Sequence, residues 1–107
     1  MDVLETEKAV VVRVAVAGVA SRDVRVALEG QLLCVRGTRS QPRGEEEILR
    51  HHQLEIEPGP FEARVRIPIL VERDQVSARL EDGVLTVRLP KRASRRIEVE
   101  RGRDEEA

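Results

Sequence analysis

The sequence predicts an all-β fold, a sandwich or barrel built from short strands. Three observations predict it. Sixteen of the 107 residues are valine, and Cβ branching suits a pleated sheet better than a helix. Apolar and polar residues alternate with period two in several short runs, and no stretch carries the 3.6-residue period of an amphipathic helix. Glycine, proline or Asp-Gly punctuates the runs at short intervals, as expected for many strands joined by turns.

The elements follow in order. Met1 to Lys8 is acidic and reads as a short N-terminal arm (residues 1–8). Lys8 to Val16 is valine-rich and predicts a strand buried on much of both faces. Gly18 to Arg22 connects it to Asp23–Glu29, where Val24, Val26 and Leu28 share one face and Arg25, Ala27 and Glu29 the other. Gly30-Gln31 turns the chain into a strand from Leu32 to Arg36, which Gly37 ends. Thr38 to Glu47 is polar and predicts a mobile loop. Ile48 to Ile56 is a short candidate strand inside an excursion that closes at Pro58-Gly59-Pro60. Phe61, Ala63, Val65 and Ile67 then alternate with Glu62, Arg64 and Arg66, and Pro68 stops the run. Val71 to Asp74 is a turn. The excursion from Thr38 to Pro60 is long for a compact domain, and loops of that length carry function or are disordered.

Ala78 to Pro90 (ARLEDGVLTVRLP) holds the sharpest local signal. Val76, Ala78 and Leu80 point one way. Asp82-Gly83 is a tight-turn dipeptide, because glycine tolerates the positive φ such a turn needs. Leu85, Val87 and Leu89 then alternate with Val84 and Thr86 until Pro90, which has no N–H for a ladder. Beyond a polar linker, Ile97 and Val99 stand on one face of an extended tripeptide. Seven extended residues reach roughly 23 Å. Burying these two side chains contributes on the order of 3–6 kcal/mol gross, against association and ordering costs of similar size. One tail therefore docks weakly, and several in one assembly add through effective concentration.

This order of motifs resembles the small heat-shock proteins, the α-crystallin-domain family. The residues that carry the resemblance are Ala78, Leu80, Asp82, Gly83, Val84, Leu85 and Pro90, followed by Ile97-Glu98-Val99; Val11 to Arg36 and Gly59 to Pro68 look like further segments of that family. The resemblance implies an immunoglobulin-like β-sandwich of seven to nine strands over 9–90, with a C-terminal extension over 91–107. It implies that the long loop carries a dimer-exchange strand, here Ile48, Leu49, Arg50, His51, His52 and Leu54, which pairs with the sheet edge of a second subunit. It also implies a docking groove at the rim, lined here by Val24, Val26, Leu28, Val76, Ala78 and Leu80. Read from period alone, each of these six could equally face the core.

The implied function is that of an ATP-independent chaperone that holds apolar surface of partly unfolded clients and prevents their aggregation. Hydrophobic attraction has no directional requirement, which suits a binder of many sequences. Only residues 1–8 precede the first main strand, so the expected assembly is a homodimer or small homo-oligomer. The alternative is a structural or adaptor module on the same sandwich, of a gas-vesicle, spore-coat or CS-domain co-chaperone kind.

Composition excludes other classes. Charged residues are 36% of the chain, yet the net charge is −1, which argues against a nucleic-acid arm or a membrane-seeking basic face. With one Phe and no Trp or Tyr, stacking platforms for bases are missing. No run approaches the ~18 apolar residues of a membrane span. Cys34 is the only cysteine; no intrachain disulfide can form, the expected compartment is a reducing cytoplasm, and the residue reads as a small packed hydrophobe. His51 and His52 are adjacent in a candidate strand and point to opposite faces, so they do not chelate one metal; they read as a subunit contact or an exposed pair. Glu45-Glu46-Glu47 and Asp104-Glu105-Glu106 read as solvated acidic runs. No serine has a neighbouring base, and the glycines form no phosphate loop, so neither an enzyme nor a cofactor is expected.

Overall fold

The computed structural model describes residues 1–40, 46–54, 57–93 and 99. Among them are seven strands: β1 Asp2–Glu5, β2 Ala9–Ala15, β3 Val24–Glu29, β4 Leu32–Arg39, β5 Gly59–Arg66, β6 Ser77–Glu81 and β7 Val84–Pro90. All pairings are antiparallel. One sheet has the order β1-β2-β7-β6 and the other β3-β4-β5. Short 3₁₀ turns at Ser21–Asp23 and Arg73–Gln75 precede β3 and β6.

The core lies between the sheets. In the first sheet Val10 faces Leu89, Val12 faces Val87 and Val14 faces Leu85 across the β2–β7 ladder. All six are buried, and Leu33 and Val35 of β4 meet them from the second sheet with Val16 and Ile67. Strand β2 is buried along the whole of one face and only at the start of the other, where Ala9 is buried, Val11 is half-buried beside Leu4 of β1 and Arg88 of β7, and Arg13 and Ala15 are exposed. A sheet with one face toward the other sheet leaves its outer face in water, which is the ordinary state of an antiparallel layer.

Two-residue loops close two hairpins. Gly30 takes φ 59° and opens the Gly30-Gln31 turn; Asp82 and Gly83 both take positive φ, 51° and 76°, as a type I′ turn requires. Pro90 ends β7 as expected.

Two elements differ from the sequence reading. Strand β4 does not stop at Gly37 but runs to Arg39, with Gly37 paired to Val24 on one side and Phe61 on the other. Within the expected arm, residues 2–5 form β1 on the β2 edge, with Lys91 Nζ bonded to Glu5 at 2.9 Å. Asp-Val-Leu-Glu places its two apolar residues side by side and so shows no alternation, and the neighbouring β2 edge supplies the reason for this strand.

Candidate functional site

Both sheets end in an open edge on the same side of the sandwich. The edges are β3 and β6. In each hairpin the pair flanking the two-residue loop, Glu29–Leu32 or Glu81–Val84, is the one that exchanges both backbone bonds. Counting back by two, Arg25 and Ala27 bond to β4, and Ser77 and Arg79 bond to β7. Val26 and Leu28, like Ala78 and Leu80, therefore turn their N–H and C=O groups toward the open edge; Val24 turns its C=O there, while its N–H donates to Ser21 O and closes the 3₁₀ turn. The guanidinium of Arg73, in the turn just before β6, donates to the carbonyls of Leu28 and Gly30. That contact sets the two edges side by side and shows the Leu28 carbonyl facing outward.

The six expected groove residues gather on this rim. Val24, Val26, Leu28, Val76 and Leu80 are half-buried and pack on the margin of the core; Ala78 is exposed between Val76 and Leu80. Sandwich closure leaves them neither wholly inside nor wholly in water. All six offer apolar side chains, and Val26, Ala78 and Leu80 also offer open backbone groups, which is what an extended segment needs in order to dock; the Val24 and Val76 N–H groups are donated to Ser21 O and Arg73 O, and the Leu28 carbonyl accepts from Arg73.

Past Arg73 the rim opens into a hollow of about 170 Å³ lined by Ile67, Ile69, Leu70 and Val71. Here the C-terminal extension leaves the domain. The backbone N–H of Glu72 donates to Pro90 O at 2.8 Å, Val71 bridges Lys91, and Arg92 N–H donates to Leu70 O at 3.0 Å. Of the expected docking pair, Val99 is 79% exposed, and Ile97 lies outside the described residues.

The loop side is organised by Arg39, the last residue of β4. Its Nε donates to Ala17 O at 2.7 Å, its Nη1 to Glu57 O at 3.2 Å, and its guanidinium lies 5.5 Å from the centre of the Phe61 ring. One side chain so ties the outgoing and returning feet of the long loop. Ile48, Leu49, Arg50, His51, His52 and Leu54 are all exposed and belong to no strand of this chain's own sheets; Leu49 is 95% exposed. Ile56 lies outside the described residues. The free side of β1 is an edge as well, with Met1, Val3 and Leu4 exposed along it.

Of the family-signature positions, Asp82 and Gly83 make the turn, Leu85 is core, Val84 is exposed, and the Pro90 carbonyl anchors Glu72. Cys34 is buried and unpaired, on the outer face of its sheet between Ala27 and Arg64. Arg36 and Arg64 share Glu62; the hydrogen bond from Arg64 and then that from Arg36 hold the Glu62 carboxyl below the usual carboxylate range, although desolvation opposes them. Among the described residues no His, Cys, Asp and Glu group is placed to hold a metal, and no helix is long and apolar enough to cross a membrane. Arg39 and Arg73 escaped the sequence reading, because seventeen scattered arginines carry no signal for which carbonyl each will reach.

Comparison with known proteins agrees with this architecture. The model of the Hsp20/alpha crystallin family matches residues 2–102. A 16.9 kDa class I heat shock protein 1 of Oryza sativa subsp. japonica is 37% identical over 100 residues, covering 92% of this chain and 66% of the relative; the chain thus spans just under two thirds of that protein's length. Heat shock protein 16.0 of Schizosaccharomyces pombe superposes with a TM-score of 0.75 at 29% identity, covering 92% of this chain and 94% of the other. A small heat-shock protein of Xylella fastidiosa, described as having a distinct high order structure, gives a TM-score of 0.75 at 25% identity, with 94% of each chain covered.

Proposed function

This chain belongs to the Hsp20/alpha crystallin family, a family of chaperones and not of enzymes, and on that premise we propose that it is an ATP-independent cytoplasmic holdase. The observation that carries the reading is the paired open edge. Half-buried Val24, Val26, Leu28, Val76 and Leu80 sit beside outward-facing backbone groups on two adjacent strands. A partly unfolded client presents what complements them: apolar side chains at alternate positions and an extended backbone with unpaired N–H and C=O groups.

In the proposed resting state the Ile97-Glu98-Val99 segment covers the rim. Its weak individual affinity lets clients displace it when they are abundant or when warming loosens it. Subunits pair when residues 48–54 of one chain add to the free β1 edge of another, which would cover Leu49 and satisfy backbone groups on both. The expected assembly is a homodimer or small homo-oligomer. Nucleic acid, membranes and cofactors have no part in this mechanism.

The test is suppression of client aggregation without nucleotide, run beside a mass measurement. Protection that needs no ATP and falls when free Ile-x-Val peptide is added supports the proposal. Unchanged client aggregation at several-fold excess of the chain overturns it and leaves the adaptor reading standing.

A further inference from the structure

The rim has one closed end, and Arg73 closes it. Its backbone lies in the 3₁₀ turn Arg73–Gln75, whose C-cap is Val76, the first residue of the β6 wall. Its guanidinium reaches the other wall, donating from Nη1 to Gly30 O at 2.9 Å and from Nη2 to Leu28 O. A single side chain thereby joins the β3 and β6 edges, which belong to different sheets. We infer that Arg73 is a clasp that sets the spacing of the two walls and an end-stop that limits what the furrow accepts.

The end-stop follows from hydrogen-bond geometry. Outward-facing groups on β3 recur every second residue, at Val24, Val26 and Leu28, about 7 Å apart. A segment adding to this edge would take the Leu28 carbonyl after that of Val26. The guanidinium already occupies that acceptor with a charged donor, a stronger partner than a neutral amide. Along β3 the Val24 carbonyl and both backbone groups of Val26 stay open, the Val24 N–H being donated to Ser21 O, which leaves room for two side chains at i and i+2. The favoured ligand is therefore a short, extended, two-knob segment, and the chain's own Ile97-Glu98-Val99 segment has that form. Long β-strands that would run through the furrow are disfavoured. The end-stop rests on the docking reading proposed above; the clasp does not.

The full-length chain and its Arg73→Ala variant separate the two. Amide exchange of the unliganded proteins reads the clasp: in the variant, the paired amides of Ala27, Glu29, Ser77 and Arg79 exchange about three- to tenfold faster, while the β2–β7 ladder is unchanged. Equal exchange at the rim overturns the clasp. Arg73→Lys, a point donor without the planar fork, falls nearer to the alanine variant than to the native protein; full protection by lysine overturns the two-carbonyl geometry. The end-stop is read by titration with a peptide of residues 94–101 and with the same peptide lengthened at either end by alternating Val and Thr. The advantage of the longer peptides is about tenfold greater in Arg73→Ala, as one freed ladder bond of about 1.4 kcal/mol implies. An equal advantage in both proteins overturns the end-stop. If no peptide binds either protein, the docking reading fails and the end-stop falls with it, whereas the exchange result still decides the clasp.

Discussion

Gly37 has no side chain because Phe61 occupies the place where one would stand. The two residues are opposite each other across the β4–β5 ladder. A Cβ on Gly37 would lie 2.5 Å from Phe61 Cζ and 2.7 Å from the carbonyl oxygen of Asp23. The ring covers the half-buried glycine backbone, and the Arg39 guanidinium lies over the ring. Gly37→Ala is expected to cost about 1–3 kcal/mol, the usual range for overpacking, seen as a lower urea midpoint with an unchanged m-value. Adding Phe61→Leu should return part of that loss, so the pair is non-additive. Strict additivity would mean that the Asp23 carbonyl, and not the ring, sets the limit.

Arg39 ties both feet of the long loop to the sandwich. Arg39→Ala removes hydrogen bonds to Ala17 O and Glu57 O and the contact with Phe61. Because the side chain is only partly buried, the expected loss is about 1–2 kcal/mol. Amide exchange should rise at residues 57–60 and at 17–19 together. Arg39→Lys should rescue little, since one ammonium does not reach two carbonyls and a ring in the same plane. Full rescue by lysine would count against the clamp.

The exposed loop residues lead to a subunit-pairing experiment. Deleting Glu45 to Gln53 removes Ile48 and Leu49, which are exposed in the single chain. Sedimentation should then show monomers, with the thermal transition of the sandwich itself nearly unchanged, because residues 46–53, all exposed, contribute nothing to the buried core. A dimer that survives the deletion would place subunit pairing on another surface.

Replacing Ile97 and Val99 with alanine should reduce assembly size in light scattering. Docked as proposed, the two side chains would contribute on the order of 3–6 kcal/mol gross, of which the net share per tail is small. The effect should therefore grow with the number of subunits. Unchanged mass would remove the tail from the assembly mechanism.

Glu62 has its pKa depressed in the folded chain, first by the hydrogen bond from Arg64. A depressed carboxylate adds stability above its unfolded pKa and loses it as pH falls through the lower folded value. Glu62→Gln should thus lower Tm slightly at pH 7, and the loss should vanish at a pH acid enough to protonate the carboxyl in the folded chain as well. The group is at the surface, where screening keeps such pairs weak, and the difference should shrink further in 1 M salt. An equal loss at both pH values would assign the effect to packing.

Much of the sandwich was legible in the chain itself. Period two in Phe61–Ile67 states which side chains face inward, and burial follows it; in Val24–Glu29 it separates the two faces, with Val24, Val26 and Leu28 half-buried and Arg25, Ala27 and Glu29 exposed. Asp82-Gly83 specified its turn, because few dipeptides hold two positive φ values. Other parts were illegible for physical reasons. Gly37 read as a strand end, since a glycine looks the same locally whether it breaks a strand or makes room for a ring from another strand. Strand β1 has no pattern of its own and exists because β2 has an edge to fill.

The amino-acid order alone determined the alternating strands other than β1 and the two tight hairpins, since alternation and turn chemistry act between near neighbours. Only the tertiary structure decided that β3 and β6 lie edge to edge, that Arg73 spans them, and that Arg39 grips both ends of a loop. These contacts join residues 18 to 45 positions apart. A guanidinium finds its carbonyl only after two sheets have stacked, and hydrophobic burial, indifferent to direction, does the stacking.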